Sequence, residues 1–112
     1  MKRSLFFIFF IFVGAFAEES RALLLHGNCT TCHYVDRSIS APAMKIVKKR
    51  YKKAFTTKEL FVKQMVAFVK DPKEDHSIMI DMIHKYEIMP KITFDEETLN
   101  EIASYIYDTD EF

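Results

Sequence analysis

The chain has 112 residues, with 16 Lys or Arg and 16 Asp or Glu, so its formal net charge is zero. The absence of a basic excess argues against nucleic acid as a partner. Only two Gly and three Pro interrupt the chain, and no repeat or low-complexity linker divides it. One small domain is therefore expected.

Residues 1–17 have the pattern of a secretory signal peptide. Lys2 and Arg3 form a positive start, and residues 5–13 are almost entirely apolar and rich in Phe. Ala15-Phe16-Ala17 is a small-x-small cleavage site. The apolar stretch falls short of the roughly 20 residues that span a bilayer, so we expect cleavage after Ala17 rather than an uncleaved anchor.

The mature domain is then predicted to comprise residues 18–112. Without Lys2 and Arg3 the 16 basic residues become 14, against 16 acidic residues, so this domain is mildly acidic. We expect it to lie in the periplasm, with no stable membrane insertion after signal cleavage.

The first helix is predicted from Glu18 to His26, with a leucine triplet as its apolar content and Gly27-Asn28 as its end. Cys29-Thr30-Thr31-Cys32-His33 follows directly. Cys-x-x-Cys-His is the attachment signature of a c-type haem. Two thiols at this spacing can both reach the vinyl groups on one edge of the porphyrin, and the next residue then lies under the iron. Cys29 and Cys32 are thus predicted to hold the haem, and His33 to be its proximal ligand.

The motif has four other possible interpretations: chance, a thioredoxin-like dithiol, half of a zinc site and a structural disulfide. A thioredoxin-like dithiol lies at the strand-to-helix junction of a βαβ unit, which the flanking residues do not supply. A structural zinc site needs four ligands, usually as two spaced pairs, and the other histidines show no such pairing near a second Cys pair. A Cys29–Cys32 disulfide closes a very small loop and stabilises little, so we expect it only as the product of failed haem attachment.

Two further helices are predicted in the middle of the chain. Pro42 is placed to start a helix that runs to about Ala54, with a strongly basic exposed face. Thr56-x-x-Glu59 is a capping box that predicts the start of the next helix, and Asp71-Pro72 predicts its end. The apolar residues of that helix recur at helical spacing and are Leu60, Phe61, Met65, Phe68 and Val69.

A fourth helix is predicted from His76 to about Tyr86, and the regular backbone then breaks at Met89-Pro90. Thr93-x-x-Glu96 is a second capping box and predicts the start of the last helix. Its apolar residues fall at i, i+3, i+4 and i+7, namely Leu99, Ile102, Ala103 and Ile106. The expected fold class is all-α, with about four to five helices.

This order of features resembles the small class I bacterial cytochromes c. The features that carry the resemblance are an N-terminal helix ending in Gly, the CTTCH motif, a Pro nine residues after the His, a Met-Pro in an extended segment and an amphipathic C-terminal helix. They extend over the whole mature chain. The resemblance implies a cytochrome c-like bundle wrapped around one covalently attached haem c.

The resemblance also implies roles for individual residues. Cys29 and Cys32 would form the thioethers. His33 and Met89 would be the two axial ligands of the haem iron. Pro42 would sit against His33, with a neighbouring carbonyl accepting the ring N–H and orienting the ligand.

Three residues near Met89 are rival distal ligands. Met79 and Met82 fall inside the predicted fourth helix, where a Met more often fills the core than binds a metal. Pro90, in contrast, ends the regular backbone and lets Met89 reach inward. His84 would give bis-His ligation and a lower reduction potential.

The predicted function is one-electron transfer through a haem with His/Met ligation, without enzymatic activity. The partners would be periplasmic or membrane redox proteins, and the carrier a monomer. The lysines of residues 45–53 form either a solvated helix face or a surface that steers the protein toward acidic redox partners. Two alternatives stay open: a haem-based gas-binding or sensor protein with a labile distal ligand, and a Cys-x-x-Cys thiol redox protein.

Overall fold

The computed structural model describes residues 17–112, so the predicted signal peptide lies outside the described residues except for Ala17. Residues 17–112 contain helices and no strand, which confirms the all-α class. Helix α1 covers residues 17–28. It is followed by α2 (Met44–Ala54), α3 (Lys58–Lys70), a 3-10 turn (Glu74–His76), α4 (Ile80–Tyr86) and α5 (Glu96–Asp108). None of the helices in this part of the chain is both long and apolar enough to cross a membrane.

Among α2 to α5, the pair α3 and α5 makes the most extensive contact, and α2 packs against both. Leu25 of α1 is fully buried in the same core. The four residues that the heptad-like spacing of α5 predicts to be apolar are all buried, as expected. Phe61 of α3 is fully buried, and its ring meets the edges of Tyr51 and Tyr107 at centroid distances of 5.8 and 5.1 Å. Burying each large side chain of this kind contributes about 1.5–3 kcal/mol.

Two helix starts differ from the predicted capping boxes. Thr57, not Thr56, caps α3, and its hydroxyl accepts a hydrogen bond from the backbone N–H of Leu60 at 3.2 Å. Asp95, not Thr93, caps α5, and its carboxylate accepts from the N–H of Thr98 at 3.0 Å. A carboxylate is the stronger acceptor at this position, and its charge is favourable at a helix N-terminus.

The end of α1 is confirmed, whereas the predicted apolar face of α3 differs in detail. The helix α1 ends within the predicted Gly27-Asn28 pair, without a positive φ at Gly27. The helix continues to Asn28, whose side-chain amide donates to the carbonyl of Leu24 at 2.8 Å. On α3, Leu60 is 43 % exposed, and Val66 is buried with Phe61 and Met65.

The predicted fourth helix is interrupted. Residues 77–79 separate the 3-10 turn from α4, and the hydroxyl of Ser77 accepts a hydrogen bond from the N–H of Met79 at 2.9 Å. Because a serine hydroxyl competes with the helical hydrogen-bond pattern, the helix restarts only at Ile80. Met79 therefore precedes α4 instead of lying inside it, and Ile80 is 47 % exposed rather than packed.

The basic face of α2 is confirmed except at one lysine. Lys45, Lys49, Lys52 and Lys53 are exposed. Lys48 is buried, and its ammonium donates to the carbonyls of Thr109 and Phe112. Burial lowers the pKa of Lys48 below the ordinary value of a lysine. This side chain fastens the C-terminal residues to α2 and is not part of a solvated face.

Candidate functional site

An apolar cavity of about 330 Å³ lies between α2, α3, α5 and the chain segment that contains α4. This volume falls in the range of pockets for small molecules and cofactors. All five residues predicted to form the site line it: Cys29, Cys32, His33, Pro42 and Met89. The fold thus brings together side chains that are up to 60 positions apart in the sequence.

The CTTCH motif continues α1 by one turn. The N–H of Cys29 donates to the carbonyl of Leu25 at 2.8 Å, and the N–H of His33 donates to the carbonyl of Cys29 at 2.9 Å. Residues four apart in a helical turn lie above one another on one face, so Cys29 and His33 reach the same cavity. Cys29 is half-buried, Cys32 is exposed, and both thiols are free.

The imidazole of His33 is oriented by the backbone of Pro42. Its Nδ1 lies 2.7 Å from the Pro42 carbonyl oxygen. A carbonyl oxygen only accepts, so Nδ1 carries the proton and donates, and in the neutral ring Nε2 keeps its lone pair. The carbonyl that accepts the ring N–H of His33 is therefore that of Pro42 itself.

Backbone hydrogen bonds fix the distance between the motif and Pro42. The N–H of Met44 donates to the carbonyl of Tyr34 at 2.8 Å, and the N–H of Lys45 donates to the carbonyl of Val35 at 3.2 Å. These bonds satisfy free donors at the start of α2. They also pin the residues after His33 to the residues after Pro42, so the His33 ring is held without a regular secondary structure around it.

The three methionines of this region all line the cavity but differ in packing. Met79 is 7 % exposed and belongs to the buried core, and Met82 is half-buried against it. Met89 is half-buried in the extended segment between α4 and α5 and is not part of that core cluster. Met89 therefore lines the cavity without belonging to the core cluster.

Two arguments about the rival ligands need correction. Met79 does not lie inside a helix, so a helical position does not distinguish it from Met89 as a candidate ligand. The feature that distinguishes Met79 is its burial in the core. The His84 side chain is 70 % exposed and does not line the cavity. The structure therefore brings His33 and the three methionines together, but not His84.

The turn after α4 depends on Glu87, which has a φ of 68°. In the described residues it is the one non-glycine residue with a positive φ, a conformation that costs a non-glycine side chain about 1 kcal/mol or more. The turn directs Met89 and Pro90 to the cavity. A glycine would have marked such a turn in the sequence, and Glu87 gives no such signal.

Tyr51 of α2 also lines the cavity. It is 4 % exposed, and burial raises the pKa of its hydroxyl to about 12, so the phenol stays neutral at physiological pH.

The Cys29 thiol does not have the environment of an attacking thiol. Burial, and secondarily the neighbouring Cys32, raises the pKa of the Cys29 thiol, whereas attacking cysteines have a lowered pKa. Residues 17–112 contain no strand and therefore no thioredoxin-like βαβ unit. In the same residues no three His, Cys, Asp or Glu side chains come together as a candidate metal site.

Comparison of the chain with protein-family models, curated proteins and solved structures finds no match. The residues that line the cavity therefore indicate what it binds.

Proposed function

We propose that this protein binds one haem c covalently and carries single electrons in the periplasm. The observation that supports this most is the convergence of Cys29, Cys32, His33 and Met89 on one apolar cavity, with the ring of His33 held by Pro42. Each of these side chains fits one need of the cofactor. Two free thiols provide attachment, an oriented imidazole and a thioether provide axial ligands, and apolar walls receive the porphyrin.

Cys29 and Cys32 would hold the group through two thioethers. Each S–H would add across one vinyl C=C bond, with sulfur bonding to one carbon and hydrogen to the other, so the attachment would need no oxidant. When bound, the haem iron supplies one-electron chemistry by cycling between Fe(III) and Fe(II). The attachment fixes the group to the helical turn that also carries His33.

His33 and Met89 would be the axial ligands, and the residues around them adjust their donor strength. The Nδ1–H of His33 donates to Pro42, which fixes the ring orientation and raises the basicity of Nε2. A thioether stabilises the ferrous state more than an imidazole does. The apolar lining would disfavour the more highly charged oxidised site, so the thioether and the lining would both raise the reduction potential.

The size of the domain supports a structural role for the cofactor as well. A domain of about 95 residues buries only about two-thirds of its unfolded surface. The cavity is bounded by core residues of α3 and α5, such as Met65 and Ile102. A porphyrin in this position completes the core. The protein would act as a monomeric carrier for periplasmic or membrane redox proteins and not as an enzyme.

Met89→Ala should lose the Met-sulfur charge-transfer band and lower the reduction potential, because water or another side chain replaces the thioether. Met79→Ala should keep the band and lose about 2–5 kcal/mol of unfolding free energy, since Met79 is buried in the core. Met82→Ala should keep the band with a smaller loss of stability. Absorbance spectroscopy, potentiometry and urea unfolding measure these effects. A band that survives in Met89→Ala but disappears in Met79→Ala or Met82→Ala assigns the ligand to the other methionine.

A further inference from the structure

The chain segment 77–94, here called the Met wall, closes one side of the cavity. It contains α4, Met89 and both rival methionines, and all three methionines line the cavity. The Met wall is less firmly packed than α3 and α5. The backbones of α3 and α5 make extensive contact with each other, whereas α4 makes only slight backbone contact with α2, α3 or α5.

One bidentate ion pair joins the Met wall to α2. Nη1 of Arg50 lies 2.5 Å from Oδ1 of Asp81, and Nη2 lies 2.7 Å from Oδ2. Two parallel N–H···O bonds to one carboxylate fix both distance and orientation. Asp81 lies in the first turn of α4, where the helix dipole also favours a negative charge.

Other polar contacts of the Met wall are local. His84 lies 3.9 Å from Glu74 of the neighbouring 3-10 turn, and the Ser77 hydroxyl bonds within the wall. In the described part of the chain, residues 87–94 form no hydrogen bond to another element. The pKa of Asp71, at the end of α3, is lowered mainly by its hydrogen bond with Lys73, and Lys91 of the wall adds a weaker attraction. Apart from this attraction and the Arg50–Asp81 pair, the wall is held by apolar side chains that face the cavity or the core.

We propose that the Arg50–Asp81 pair is a clamp that holds the Met wall against the cavity and so determines how firmly a Met thioether occupies the distal position of the haem iron. Arg50 and Asp81 are positioning residues, because they act through the wall and not on the iron. The inference rests on the proposed haem function. It does not depend on which methionine is the ligand, since the wall carries all three.

Imidazole competes with the distal side chain for the ferric iron and serves as the probe. In the holoprotein at low ionic strength, Asp81→Asn and Arg50→Gln should bind imidazole about two- to fivefold more tightly, measured by loss of the Met-sulfur band. This range follows from the small free energy of an exposed ion pair. The imidazole affinity of Arg50→Lys should fall between those of these two variants and that of the wild type, because lysine keeps the charge but not the bidentate geometry.

Glu96→Gln is the matched control. Glu96 lies in the first turn of α5, is 63 % exposed against 59 % for Asp81, and accepts from Nζ of Lys70 at 2.7 Å. Glu96→Gln removes one negative charge, as Asp81→Asn does. The Lys70–Glu96 pair joins α3 and α5, however, which already pack closely, so imidazole affinity should not change in Glu96→Gln.

Ionic strength provides a second readout. Salt screens exposed ion pairs, so added salt should tighten imidazole binding to the wild type and have less effect on Asp81→Asn. The clamp is refuted if Asp81→Asn binds imidazole with the affinity of the wild type. It is also refuted if Glu96→Gln tightens imidazole binding as much as Asp81→Asn does. Either result leaves the haem function intact. A wild-type protein without covalent haem instead refutes the proposed function, and the clamp with it.

Discussion

Cys29→Ala and Cys32→Ala will each yield little holoprotein, and the remaining polypeptide will be sensitive to proteases. Each substitution would remove one of the two proposed thioether bonds. Loss of the haem would then leave an open apolar pocket of about 330 Å³ beside the core of a domain that buries only about two-thirds of its unfolded surface. The apolar lining would lose its packing partner and become exposed to water, so the effect on folding should be large.

Whole-protein mass spectrometry after denaturation measures the covalently retained haem, and limited proteolysis measures the folding of the chain. Thr31→Ala is the matched control, because Thr31 lies inside the same motif but is exposed and does not line the cavity. It should leave haem content and protease resistance unchanged. Normal folding of either cysteine variant without haem would show that the cofactor is not part of the core.

His33→Ala will abolish the stable low-spin haem spectrum. The substitution removes the imidazole whose Nδ1 is held at 2.7 Å from the Pro42 carbonyl, and it leaves that carbonyl without its donor. The proximal side then has no oriented nitrogen ligand. Absorbance and electron paramagnetic resonance spectra should change from low spin to high spin, with a large loss of holoprotein yield.

His84→Ala is the corresponding control, since the His84 side chain is 70 % exposed and lies outside the cavity lining. Its spectrum and reduction potential should match the wild type. If His33→Ala kept an unchanged low-spin spectrum, another residue would have to be the proximal ligand. A changed axial ligand in His84→Ala would mean that the chain rearranges when haem is attached.

The features that local sequence determines were the ones predicted well. The spacing of Leu99, Ile102, Ala103 and Ile106 places them on one helical face, and all four are buried. Pro72 also marks a boundary as predicted, because it prevents α3 from continuing past Asp71. Pro42 does not start α2, which begins at Met44 with Ala43 as its N-cap.

The errors at helix starts came from close competition between neighbouring capping residues. Thr56 and Thr57 are both good N-caps, and local sequence does not separate them. In the structure Thr57 supplies the cap and α3 begins at Lys58. At α5 the capping-box pattern Thr93-x-x-Glu96 predicts a start two residues early, since the carboxylate of Asp95 supplies the cap.

Contacts between distant parts of the chain could not be predicted from local patterns. Lys48 is buried because its ammonium donates hydrogen bonds to backbone oxygens of Thr109 and Phe112, which are 61 and 64 residues away in the sequence. Arg50 pairs with Asp81 at a separation of 31 residues. In the sequence both residues belong to the same basic helix face as their exposed neighbours. The predicted set of site residues came instead from the CTTCH motif and from the resemblance.

The absorption spectrum of the protein matured in a host that attaches haem tests the central proposal most directly. A six-coordinate low-spin haem that survives denaturation covalently bound and shows a Met-sulfur charge-transfer band is the predicted result. A five-coordinate haem would contradict the His/Met electron carrier and favour a ligand-binding sensor. A protein without haem would contradict the proposed function altogether and favour thiol redox chemistry at Cys29 and Cys32.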